Sequence, residues 1–299
     1  MSFHEGELAV QKQAGVLTSA GRTGRMVQRT IAPARWNFLT ERRFAVLAAQ
    51  TPDGAVWASI VTGPPGFLAI EDHGAALHIR ANVRPADPLI STLVEGARVG
   101  LVAIDFEARR RFRINGHVVS TVDGLRLGVD EAYGNCPKYI QSYVPRADVR
   151  GQQSEPRSGT QLDLSQISWI ARADAFFLGT VHPTVGADAS HRGGAPGFVR
   201  VLSPTELAWG DYSGNTLFNS LGNAAVEPAA GLLFIDFETG STLQLTGRLT
   251  IDWSPGAAAE IPGAERVLRF AIDRVLQTDA AIPLRWILSE PSPFNPPAR

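Results

Sequence analysis

The stretch Asp188 to Asn223, D-A-S-H-R-G-G-A-P-G-F-V-R-V-L-S-P-T-E-L-A-W-G-D-Y-S-G-N-T-L-F-N-S-L-G-N, decides the reading of this 299-residue chain. Ser190, His191 and Arg192 end one β-like run, and Gly193-Gly194 turns the chain. Phe198 to Leu202 alternates apolar and polar residues, the period of a half-buried strand. Leu207-Ala208-Trp209 reads as a second short strand. Asp211-Tyr212-Ser213-Gly214-Asn215 is turn chemistry, with Asn215 placed to cap a helix over 216–221. Two arginines, small hydroxyl residues and a helix start on adjacent elements make a cradle for a phosphate, through N–H groups and charge-assisted bonds.

Working outward, the same pattern occurs twice. Adding 131 to positions in the first half lands on equivalents in the second. Gly100 to Glu107 (G-L-V-A-I-D-F-E) matches Gly231 to Glu238 (G-L-L-F-I-D-F-E) at six of eight places. Pro64 to Phe67 falls on Ala195 to Phe198, Ser59 on Ser190, Leu47 on Leu178 and Gly116 on Gly247. One constant offset over this length predicts a duplicated domain. Each copy is expected to run from a short helix into a strand (44–50; 176–182). Two strands then flank the P-G-F turn, and a short edge strand follows. A helix (87–95; 216–221) and a long hairpin (99–106 with 111–120; 231–237 with 242–252) complete the unit.

These segments resemble the flavin-nucleotide-binding branch of the pyridoxamine 5'-phosphate oxidase-like split barrels. The resemblance rests on Ser190 to Val201, Asp211 to Asn215, Gly231 to Phe237 and Thr242 to Gly247. It implies a mainly β (α+β) fold class: two tandem FMN-binding split β-barrels, Greek-key and PNPOx-like, with flanking helices. The expected divisions are an arm over 1–35, one barrel over 36–145 and a linker over 146–166. A second barrel over 167–299 would carry a C-terminal helix and a Pro-rich tail. The resemblance also implies FMN between two barrels, with deazaflavin F420, FAD and haem as alternatives.

The cofactor-binding expectation names Ser190, His191, Arg192, Gly193, Val199, Arg200, Val201, Asp211, Ser213, Gly214 and Asn215 from copy two. Copy one, from the same chain or a partner, would add Arg111 and Arg113 from its hairpin and Lys138-Tyr139 from the segment between the copies. That segment, E-A-Y-G-N-C-P-K-Y-I-Q-S-Y (Glu131 to Tyr143), reads as a helix starting at Pro137, with a lysine in its first turn where the dipole disfavours a cation unless an anion is near. The alternative is an exposed lysine. His191 is a candidate donor or proton relay to a flavin edge, or a rim histidine bonded to backbone. Gly263 to Gln277 reads as an amphipathic helix, from Val267, Leu268, Ala271, Ile272 and Val275.

Composition excludes several classes. Net charge is −1, which gives no general pull toward nucleic acid or anionic membrane. The single cysteine, Cys136, excludes an internal disulfide and fits a cytoplasmic location. The first residues, with His4, Glu5 and Glu7, have no signal-peptide core, and no apolar run is long enough to span a bilayer. Adjacent His4 and Glu5 alone do not make a metal site, and none is expected. Among the basic residues only Lys12 and Lys138 are lysine, by general arginine bias or because a compact ammonium is needed there. No Walker, Rossmann, H-E-x-x-H or G-x-S-x-G motif is present. The functional expectation is a flavoprotein oxidoreductase moving electrons from NAD(P)H or a partner reductase to a small substrate, with no catalytic residue assigned and a homodimer expected. The alternatives are a non-catalytic flavin carrier and a haem-binding or haem-degrading barrel.

Overall fold

The two matching hairpins lie in two separate sheets of one topology. The computed structural model describes residues 3–81, 84, 86–149 and 154–296. Helices α1 (Glu5–Gln13), α2 (Leu17–Thr23) and α3 (Trp36–Thr40) come first. Strands β1 (Phe44–Gln50), β2 (Val56–Thr62), β3 (Leu68–Glu71), β4 (Ala76–Ile79), β5 (Arg98–Asp105), β6 (Arg110–Ser120) and β7 (Leu125–Gly134) form the first barrel. Connecting elements are β8 (Ser142–Pro145), β9 (Arg157–Gly159) and α4 (Leu164–Arg172), the last started by an Asp163–Gln166 capping box. The second barrel holds β10 (Ala175–His182), β11 (Gly186–Gly193), β12 (Val199–Ser203), β13 (Glu206–Asp211), α5 (Asn219–Val226), β14 (Ala229–Ile235), β15 (Thr242–Asp252), α6 (Pro255–Ala259) and β16 (Arg266–Thr278). Strand β17 (Trp286–Glu290) ends the regular structure.

Strand order is β2-β1-β5-β6-β7-β4-β3 in one sheet and β11-β10-β14-β15-β16-β13-β12 in the other, all antiparallel, with β9 added to β16. Position for position these are the same sheet. Register agrees too: Leu47 faces Ser59 and Leu178 faces Ser190, while Leu101 faces Ile114 and Leu232 faces Leu245. Even the β-bulge is copied, between Asn115 and Gly116 and between Thr246 and Gly247. Each barrel has its own core, one around Leu47, Leu101 and Phe112, the other around Leu178, Leu232 and Phe234. The chain is thus two tandem split barrels.

Several expectations are corrected. Residues 266–278 are a strand, not an amphipathic helix. The bulge leaves Asp273 unpaired, so buried side chains fall at 268, 270 and 272 and then at 275 and 277. That phase change erases the two-residue period and leaves spacings of three and four. Residues 137–143 are not helical, because Tyr139 adopts φ 65° and Gln141 is tied to Gly194, Ser292 and Asn295. Residues 87–95 are turns in place of a helix. The short strands β4 and β13 are interior, and the edges are β2, β3, β11 and β12. In the expected linker, 157–159 form β9, and 150–153 lie outside the described residues.

The barrels pair within one chain through equivalent positions. Val102, Ile104 and Phe106 meet Leu233, Ile235 and Phe237 in a shared apolar cluster, with the Phe106 and Phe237 rings edge to face at 5.1 Å. Such mutual contact between like surfaces is the signature of a two-fold dimer, here inside a single chain. Gly100 and Gly231, 131 residues apart, let the sheets touch. A Cβ on Gly100 would lie 2.6 Å from the Asp188 and Ala189 backbone, and one on Gly231 2.5 Å from Val56 O. Strands β8 and β17, one after each barrel, form a further two-stranded ribbon. Among the described residues no helix is long and apolar enough to cross a membrane.

Candidate functional site

Strand alternation sends Phe112 and Ile114 of β6 into the first core and Arg111 and Arg113 toward β11 of the second barrel. Arg113 Nη1 donates to both oxygens of Asp188, at 3.3 and 3.2 Å. Asp188 is buried and also accepts from Tyr133 OH (3.2 Å) and Ser220 Oγ (2.6 Å). This set of donors compensates its charge and fixes the Arg113 fork. Arg111 Nη1 donates to His191 O and contacts His191 Nδ1, both at 3.1 Å. Arg192 pairs with Asp211 (3.1 Å), which also pairs with Arg266 (3.1 Å). Gly193 is required here, because a Cβ would sit 2.0 Å from Tyr139 O.

These residues wall a cavity of about 280 Å³ between the barrels. Its first-barrel wall is Arg111, Arg113 and the segment Asn135 to Tyr139; its second-barrel wall is His191 to Gly193, Trp209 to Thr216 and the start of α5. Arg111 has no carboxylate partner among the described residues, and burial, reinforced by Arg113 and Arg192, pushes its guanidinium down to about 9. His191 is held well below the usual histidine range by burial and the same arginines, so it is neutral. An arginine can only donate, so His191 Nδ1 is the acceptor and Nε2 carries the hydrogen.

The lining has more donors than acceptors. Arg111 Nε, Arg113 Nε, Arg192 Nε, His191 Nε2 and Trp209 Nε1 are buried without a partner. Unmet buried donors of this kind cost about 1–3 kcal/mol each, and here they belong to residues that line one cavity with surplus positive charge. The cavity is therefore complementary to an anion rich in acceptor oxygens. Tyr139 and Tyr212, with rings 5.3 Å apart, and Phe198, Trp209 and Phe218 supply apolar surface beside it.

Of the residues named from sequence, Arg111, Arg113, Lys138, Tyr139, His191, Arg192, Gly193, Asp211, Ser213, Gly214 and Asn215 line this cavity. Four do not. Ser190 is buried one layer behind, accepting from Ser220 Oγ at 3.1 Å. Val199 and Val201 face the second core. Arg200, between them on β12, points to the opposite side and donates to Glu260 O at 2.6 Å, so it is no phosphate grip. Asn215 does not cap α5; its Oδ1 accepts from Leu217 N, and left-handed Phe218 (φ 62°) precedes the helix. Lys138 lies over the Phe294 ring at 5.8 Å. Asp188, Tyr133, Asn135, Trp209 and Arg266 were missed. Alternation with Ser190 and Arg192 pointed to Asp188; Trp209, Tyr133 and Asn135 lie within the two quoted segments, and only Arg266 comes from a distant strand.

The N-terminal segment braces this wall. Helix α1 packs on α5 with Gly6 against Gly222. Asn219 donates to Glu7 Oε1 (2.7 Å), and Gln11 donates to Leu217 O (2.9 Å). The His4 and His182 rings lie 4.3 Å apart, tilted by 50°, beside Glu5, but both Nδ1 atoms accept backbone N–H groups, from Gly6 and from Thr184 and Val185. Each Nε2 thus carries the hydrogen, opposite to the pattern of metal-bound histidine, whose second nitrogen donates. The cluster is a latch. Burial pushes Glu7 up to about 8 from 4.5. A raised carboxyl favours the protonated fold, so its stabilisation is full below pH 4.5 and is lost as pH rises through about 8. Melting temperature is expected to fall between about pH 5 and pH 8.5, with a shallower fall in Glu7→Gln; equal slopes by calorimetry would refute the assignment.

The pseudo-equivalent cleft differs. There Thr242 and Gln244 replace Arg111 and Arg113, Val61 replaces Arg192 and Ile60 replaces His191. Gln244 Nε2 donates directly to Ala58 O (3.0 Å) and Ser59 Oγ (2.9 Å). At these four positions the anion-complementary groups stand on one side only.

No family model matches the chain, and no curated protein matches it. Similar solved structures include a putative pyridoxamine 5'-phosphate oxidase from Lactobacillus delbrueckii, at 16% identity, covering 38% of this chain and 93% of that one, with TM-score 0.32. A FAD-binding protein from Mesorhizobium loti is 13% identical over 42% of this chain and 99% of that one, with TM-score 0.29. HupZ from Group A Streptococcus is 10% identical over 44% and 98%, with TM-score 0.33. The solved structures this chain is similar to are split-barrel proteins of the pyridoxamine 5'-phosphate oxidase-like kind.

Proposed function

We propose that the inter-barrel cavity binds FMN and that the chain is a flavoprotein oxidoreductase, passing electrons from NAD(P)H or a partner reductase to a small substrate. The carrying observation is the set of buried, unpartnered donors on Arg111, Arg113, Arg192 and His191 around one cavity. A terminal phosphate supplies the acceptor oxygens and negative charge this set lacks. The aromatic residues beside it suit a flat ring system, and neutral His191 offers an N–H rather than a charge. Bound flavin would supply hydride and single-electron chemistry, which no side chain here provides. The chain's own task is to hold the phosphate, keep water from the ring and present a donor at His191 Nε2.

Both described walls of the cavity come from one chain. Because the pseudo-equivalent cleft has Thr242, Gln244 and Val61 at the positions of Arg111, Arg113 and Arg192, one FMN per chain is expected. Absorbance near ~450 nm, a property of the flavin itself, set against protein concentration gives the ratio, and chromatography of the released ligand separates FMN from FAD and F420. Two flavins per chain would refute the one-sided site, and a colourless protein that ignores added FMN would refute the cofactor. NAD(P)H oxidation by the loaded protein, with small acceptors, tests turnover.

A further inference from the structure

On the other side of the Arg111–Asn135 wall lies a second concavity of about 240 Å³. It is lined by Arg35, Phe38, Arg110 and Phe112, and shares Arg111 and Asn135 with the inter-barrel cavity. The guanidinium of Arg35 lies over the Phe112 ring at 5.9 Å, and that of Arg110 over Phe38 at 5.1 Å. Neither has a carboxylate partner among the described residues, whereas neighbouring Arg109 is taken up by Glu290. Asn135 Oδ1, on the wall shared with the inter-barrel cavity, is a buried acceptor without a partner. Two exposed, uncommitted cations seated over aromatic rings thus give this groove a positive mouth.

We propose that this groove is the binding site of a second ligand, a small organic anion with a carboxylate or phosphate at the Arg35–Arg110 end. Its other end reaches the Arg111–Asn135 wall. The assignment of this ligand as the flavin's reaction partner rests on the FMN reading; the anion site itself does not. Arginine suits the task because its planar fork accepts two oxygens of one anion while its face stays on a ring. Alternation along β6 gives Arg110 to this groove and Arg111 to the shared wall.

The test is calorimetric titration of FMN-loaded protein with inorganic pyrophosphate and, separately, with citrate, which distinguishes phosphate from carboxylate preference. Binding of at least one probe is expected, weakened by about tenfold or more in Arg35→Ala/Arg110→Ala as charge-assisted bonds are lost. Flavin content should be unchanged, and Arg35→Lys/Arg110→Lys should recover part of the affinity. Unaltered affinity in the alanine double variant, or no binding of either probe to the parent, overturns the proposal. Flavin content is read independently by absorbance. Protein that takes up no FMN but still binds pyrophosphate through these arginines would sink the flavin reading and leave the groove standing.

Discussion

Arg111→Met is expected to weaken FMN by about 1.5–3 kcal/mol, roughly 10- to 150-fold in Kd, the worth of a hydrogen bond to a charged group. The same substitution is expected to raise the melting temperature of the ligand-free protein. Arg111 is a half-buried cation with no carboxylate partner among the described residues and a buried, unmet Nε, repelled by Arg113 and Arg192. A linear apolar side chain of similar length removes that burden. Saturating FMN should reverse the order of stabilities, because the parent gains more from ligand binding than the variant. Calorimetric melts with and without FMN check both halves. A variant that binds FMN normally would place the phosphate elsewhere, and one destabilised without ligand would show that Arg111 is a structural cation.

Gly231→Ala is expected to be among the most damaging single substitutions in the chain. Its Cβ would fall 2.5 Å from Val56 O and 2.9 Å from the Val56 carbonyl carbon and Trp57 Cα, all backbone atoms of a fully buried strand. Neither sheet can yield without opening the seam between the barrels. Overpacking of this kind costs about 3 kcal/mol, or roughly 6–10 °C in a chain of this size. Gly100→Ala should act alike, since its Cβ would meet the Asp188–Ala189 backbone and would also disturb the Arg113 anchor. Gly21→Ala is the matched control: it lies in α2 with nothing within 4 Å. Equal melting temperatures for Gly231→Ala and Gly21→Ala would contradict the described seam.

The architecture was legible because the hairpin of each barrel carries its core in sequence. G-L-V-A-I-D-F-E and G-L-L-F-I-D-F-E are continuous, nearly identical and buried, and a constant offset needs no tertiary information. The strand 266–278 was not legible, because its bulge at Asp273 moves the buried face from even to odd positions. Left-handed Tyr139 and Phe218 were equally hidden, since neither is a residue that favours positive φ and only tertiary packing holds them. In the site, residues clustered within 188–215 were readable from adjacency. Arg200 failed because strand parity, fixed by Val199 and Val201 entering the core, turns it away. Tyr133 and Arg266 act through partners 55 residues away, and no local pattern records such contacts.

The ribbon of β8 and β17 has a consequence for the order of assembly. Tyr143 pairs with Leu288, and Ser292 and Asn295 bond to Gln141, behind the segment that carries Lys138 and Tyr139. One wall of the cavity is therefore secured by residues that leave the ribosome 151 and 154 positions later. The first barrel has a core of its own and can form early, but its half of the cavity gains its opposite wall only after residue 221 emerges, and its clasp only after residue 290. Closing a connection of that length is slow compared with local hairpin formation. A nascent chain should thus remain unable to take up its ligand until residues 286–295 have been made, and pulse-labelled chains truncated before 286 should fold their first barrel yet emerge without cofactor.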